Sequence, residues 1–162
     1  MSIHKVLILG IGNTLLSDEG IGVHLIERMR RQVGELGGVE YMDGGTLSFT
    51  LAEPIARADG LIVVDAARME SPPGTLKVFH NEEMDRYLSG SRASVHEVSL
   101  SDLLDIARLS ESLPELRCLI GIEPASLEWG EQPSEAVVPA IEQGIGEILY
   151  ILESWAKVLG NN

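Results

Sequence analysis

Gly60–Asp65 reads GLIVVD: a glycine, four consecutive aliphatic residues and an acid. A run this short is a strand rather than a helix. Its lack of polar alternation marks a strand covered on both faces, as in a parallel sheet. Outward from it, Lys5–Gly10 (KVLILG) and Arg117–Ile122 (RCLIGI) have the same character, and Val39–Met42 is a further strand. Thr75–His80, after the Ser71-Pro72-Pro73-Gly74 turn, predicts an edge strand. Helical spacing fills the intervals. Ile21, Leu25, Ile26 and Met29 form an apolar stripe on a helix from about Gly20 to Arg31, and Leu100, Leu103, Leu104 and Ala107 form one within Val98–Ser110, with Ser99 or Ser101 as its cap. Leu47–Arg57 is read as a helix that Pro54 breaks or delays. Val138, Ile141, Ile145, Ile148, Leu152, Trp155 and Leu159 line one side of a long last helix that Gly160 ends. That stripe fits one face of a sheet better than a coiled coil.

Strands alternating with helices imply an α/β fold: a single domain over residues 1–162, with a mostly parallel twisted sheet of about five strands and helices on both faces. The chain has 162 residues, an ordinary size for one domain. Its formal net charge of −13 disfavours nucleic acid and anionic membrane surfaces, which require a cationic face. The single cysteine, Cys118, excludes an intrachain disulfide and a cysteine-based metal cluster. The opening apolar run is too short to span a membrane, and no signal-peptide pattern follows it. A cytoplasmic protein, monomeric, is the expectation.

In an open α/β sheet, ligands bind beyond the carboxyl ends of the strands. The predicted strands lead there to Asn13, Asp18 and Glu19, to Asp43, to Asp65 and to Glu123, and a short helix and loop after the edge strand bring His96. Singly, each has a plain reading. Asp18 or Glu19 is a helix cap, Asp43 a turn former before two glycines, Asp65 a turn cap, His96 a solvated loop residue, and Glu123 a solvated strand end. Together, several acids at neighbouring strand ends would share one crevice, raise one another's pKa and attract a cation. Two carboxylates and an imidazole make a mixed oxygen and nitrogen set suited to a divalent transition metal. His4 is placed at the rim, His24 on the exposed side of the first helix, His80 at the end of the edge strand, and Cys118 in the core. Neither GxSxG nor HExxH occurs. The opening Gly10-Ile11-Gly12 lacks the third glycine of a dinucleotide fingerprint, and Asp18-Glu19 would repel a pyrophosphate.

The motifs as an ordered set are similar to those of the hydrogenase maturation endopeptidases. LGIGNTLLSDEGIG (Leu9–Gly22) resembles that family's opening G-x-G-N-x-L-x-x-D-E-x-x-G. MDGGT (Met42–Thr46), LIVVDA (Leu61–Ala66), SVHEVSLSDLL (Ser94–Leu104) and GIEPASLEWG (Gly121–Gly130) follow in the family's order. The resemblance implies an endopeptidase that trims the C-terminal extension of a nickel–iron hydrogenase large-subunit precursor. It places the metal-contacting positions on Glu19, Asp65 and His96, with Asp43 as a further functional acid, and does not carry Glu123 over. Nickel would be supplied by the precursor, with another divalent metal able to substitute. A non-catalytic docking module for hydrogenase assembly and a nucleotide-binding protein are the alternatives. Ser89–Ser94 (SGSRAS), small and polar and so read as a loop, and the Pro72–Gly74 turn are the expected determinants of which precursor is chosen.

Overall fold

A computed structural model describes residues 4–90 and 98–160. Among these, five strands form one sheet: β1 (Val6–Ile11), β2 (Val39–Gly45), β3 (Gly60–Ala66), β4 (Leu76–His80) and β5 (Leu116–Ile122), in the order β2-β1-β3-β5-β4. Every neighbouring pair is parallel except β4–β5, so the strand expected at the edge is the edge strand and is antiparallel. The four parallel strands are the apolar runs read from the sequence.

The pleat sends alternate residues to two cores. Ile8, Ile62, Val64 and Ile120 face α1 (Ile21–Val33) and α5 (Pro139–Leu159), meeting Leu25, Ile26, Met29, Ile145, Ile148 and Trp155. Leu7, Leu9, Leu61, Val63 and Leu119 face α2 (Ala52–Arg57), α3 (Glu82–Gly90) and α4 (Leu100–Leu109), meeting Ile55, Met84, Leu103 and Leu104. The long last helix therefore covers a sheet face. Each such buried aliphatic side chain contributes about 1.5–3 kcal/mol relative to exposure.

Local chemistry accounts for the helix starts. Ser99 caps α4: its hydroxyl accepts from Asp102 N–H (3.1 Å), and Asp102 carboxylate accepts from Ser99 N–H (3.0 Å). Pro54 lies in the first turn of α2, where its missing N–H costs nothing. The helix expected over Leu47–Arg57 is accordingly shorter, with a 3-10 turn at Phe49–Leu51 before it. Ser89 and Gly90 close α3 instead of opening the loop assigned to them, and the remainder of that loop lies outside the described residues.

Candidate functional site

Strand order reverses between β1 and β3, since β2 lies on the far side of β1 and β5 on the far side of β3. A crevice beyond the carboxyl ends belongs at that point. The chain leaves β1 there through Gly12 and returns into a 3-10 turn, Ser17–Gly20, that carries Glu19 into α1. Two glycines make this path possible. Gly12 has a φ of +133°, and a Cβ on it would lie 1.8 Å from the Glu19 carbonyl oxygen. A Cβ on Gly22 would lie 2.1 Å from the Val64 carbonyl oxygen, so α1 touches the sheet backbone to backbone. The glycines of the opening motif thus press the Glu19 turn against β1 and β3.

Asp65 stands one residue beyond Val64 on β3. Its residue surface is partly open, yet the surrounding protein desolvates the carboxyl strongly. That desolvation, followed by the negative charge of Glu19, raises its pKa well above the ordinary carboxyl value. The two acids therefore share an electrostatic neighbourhood. Tyr87 of α3 adjoins Asp65. Its phenol pKa is raised by desolvation and then by the charges of Asp65 and Glu123. Its ring stacks on Phe79 at 4.4 Å between centroids. Nothing in the sequence distinguished Tyr87, because only the fold brings its side chain from α3 to the end of β3, where its hydroxyl meets the Arg68 carbonyl.

Asp43 is exposed at the end of β2, opposite Gly10, and one of its oxygens accepts the Gly45 N–H at 2.8 Å. The turn-forming role is therefore real. By register, Asp43 shares the parity of Tyr41, which packs under α1, whereas Asp65 shares that of Val63, on the opposite face. The strands carrying them are two apart, about 10 Å between backbones. His96 lies outside the described residues; the chain resumes with Val98 buried on the α4 face. Among the described residues, no three His, Cys, Asp or Glu side chains group to hold a metal ion.

Two acids read as caps or solvated ends are buried anchors. Asp18 is fully buried and caps no helix. Its carboxylate accepts from Ala125 N–H (2.9 Å), Ser126 N–H (2.9 Å), Ser134 N–H (2.6 Å) and the Ser134 hydroxyl (2.7 Å). Burial alone would raise its pKa, but these bonds outweigh it and leave the carboxyl below its ordinary value. Glu123 is buried, not solvated, and its Oε1 accepts Met69 N–H (2.7 Å) and Ser71 N–H (3.0 Å). Loops are sinks for such acids because their backbone N–H groups lack ladder partners. Asp18 thus ties the 125–134 segment to the Glu19 turn, and Glu123 ties down the loop that follows Asp65.

The remaining candidates fall away from this edge or are inert. His24 is half-buried rather than exposed, and its Nε2 is buried with no hydrogen-bond partner. Desolvation lowers its pKa, against the opposing charges of Glu27 and Asp18. His4 precedes β1 and pairs with Asp59 at 3.7 Å, at the opposite end of the sheet. His80 is exposed at the end of β4. Cys118 is buried and its thiol is pushed up to about 12 by desolvation, so it is not a nucleophile at neutral pH. Among the described residues no helix is long and apolar enough to cross a membrane.

Similarity to known proteins runs along nearly all of the chain. A family profile described as hydrogenase maturation protease matches residues 23–151. The hydrogenase expression/formation protein HupM of Azotobacter chroococcum is 38% identical over 149 residues, covering 91% of this chain and 71% of that protein. The hydrogenase 2 maturation protease of Escherichia coli is 36% identical over 144 residues, covering 86% and 87%. The solved hydrogenase maturating endopeptidase HybD from E. coli superposes with a TM-score of 0.83 at 31% identity, over 93% of each chain.

Proposed function

The chain belongs to the hydrogenase maturation protease family, and from that premise we propose that it removes the C-terminal extension of a nickel-loaded nickel–iron hydrogenase large-subunit precursor in the cytoplasm. The observation that carries this reading is the placement of Glu19 and Asp65 at the sheet's switch point, where Gly12 and Gly22 press the Glu19 turn against β1 and β3; burial first, and the Glu19 charge second, raise the Asp65 pKa there. A site with that electrostatic cost favours a cation. The precursor brings one, as nickel in its own cysteine ligands, and another divalent metal can take its place.

Glu19, Asp65 and His96 then contact the precursor's metal and seat the scissile peptide over the crevice. Carboxylate oxygens with an imidazole nitrogen match a divalent transition metal. Holding the peptide there supplies orientation, which can be worth several kcal/mol of the barrier. When bound, the metal polarises a carbonyl or acidifies a water. Asp43, at the exposed end of β2, orients the attacking water or takes its proton. Water adds to the scissile carbonyl carbon, the C–N bond breaks, and the proton passes to the released amine.

The test is cleavage of purified, nickel-loaded precursor, read as a mass shift. Asp65→Ala and His96→Ala are expected to lose at least a hundredfold in rate. Wild-type rates in both would sink the assigned site. Binding without shortening by the wild-type chain would favour the docking-module alternative.

A further inference from the structure

Beside the acidic crevice the protein displays a tryptophan that contributes nothing to its core. Trp129 is 81% exposed, and Leu15 across from it is 49% exposed. Their backbones are locked together. Gly130 N–H donates to the Leu15 carbonyl at 2.9 Å and Ser17 N–H to the Gly130 carbonyl at 2.8 Å, forming a parallel bridge at Leu16–Gly130. The Ser17 hydroxyl donates to the Glu128 carbonyl at 2.8 Å. Ser17 itself sits at φ +51°, a left-handed conformation that is unfavourable for a serine and persists only where its surroundings enforce it. The buried Asp18 carboxylate fastens the same segment from beneath. A large aromatic side chain is thus held out to solvent on a loop fixed at both ends and hydrogen-bonded to Ser17, the first residue of the turn that carries Glu19.

The chemistry around it states what it would receive. Trp129 is flanked by exposed Glu128 and Glu131, on a chain with 25 acidic and 12 basic residues. An exposed indole with carboxylates one and two residues away in the chain attracts a cationic side chain, by cation–π attraction and ion pairing, and preordered tryptophans are frequent anchors of interfaces. We propose that Leu15 and Trp129 form a docking platform for a basic, partly apolar segment of the precursor just outside the Glu19–Asp65 crevice. This rests on the protease reading for the partner's identity. The platform acts in binding and not in the chemical step.

The experiment uses the full chain labelled with 5-fluorotryptophan and unlabelled, nickel-loaded large-subunit precursor from the same organism. The chain has two tryptophans, one exposed at position 129 and one buried at 155. Adding precursor is expected to shift the Trp129 fluorine resonance and leave that of Trp155 in place. Trp129→Ala should raise KM for precursor about tenfold with kcat and melting temperature unchanged, Trp129→Tyr should stay within about threefold of wild type, and Glu128→Gln with Glu131→Gln should raise KM at low salt. An unmoved Trp129 resonance at saturation, or wild-type KM in Trp129→Ala, overturns the platform and leaves the protease reading intact. A Trp129-dependent complex whose precursor is never shortened upholds the platform and sinks the protease reading.

Discussion

At the scale of single residues, four acids of similar appearance in the sequence take three different roles. Asp18 and Glu123 are buried structural acceptors, Asp43 closes a turn, and Asp65 is held in a desolvated place next to another negative charge. Nothing local separates these roles, because each depends on which backbone N–H groups a loop far along the chain presents. Asp65 has a consequence for stability. Its folded pKa lies above its unfolded one, so the folded chain binds the proton more tightly, and its contribution to stability is largest below about pH 3.8 and falls as pH rises through the folded value. Asp65→Asn removes that penalty. It is expected to melt above wild type at pH 7, with the difference shrinking towards pH 4, while precursor cleavage is lost. A variant that melts lower than wild type across this range would show that the carboxylate is not crowded.

At the scale of elements, the strands were legible because burial on both faces leaves unbroken aliphatic runs, and the helices because one-sided burial leaves a stripe. The edge strand's direction was not legible, since the same residues pair either way. Nor was α3 over the site: only Met84 of it is fully buried, and the Arg117–Asp85 ion pair and the Phe79–Tyr87 stack that hold it join residues far apart in the chain or on different elements. The contact between α1 and the sheet rests on Gly22, where the obstructing atom is a carbonyl oxygen that cannot turn aside. Gly22→Ala is therefore expected to cost about 3 kcal/mol, at or above the usual overpacking range, read as the shift in denaturant midpoint. Because α1 begins where the Glu19 turn ends, precursor cleavage should fall with it. An alanine variant of wild-type stability would mean that this backbone approach is looser than described.

At the scale of the whole molecule, a formal charge of −13 gives the protein a field that favours cationic partners and slows acidic ones. The association rate with precursor is expected to fall several-fold between roughly 50 and 500 mM salt, as screening shortens the reach of that field. Stopped-flow mixing measures it, and a rate flat with salt would remove charge from the account of recognition. The sequence by itself determined the fold class, the strand runs, the order of the motifs and the family they resemble. All of these rest on local periodicity and on residue types adjacent in the chain. Only the tertiary structure decided which acids lie under the surface, that Glu19 and Asp65 feel each other's charge while Asp43 has the parity of the other sheet face, and that Tyr87 and Trp129 stand at the same edge. The physical reason is that burial and electrostatic proximity are set by strand order and by loops folding back across the sheet, and no local pattern encodes those distances.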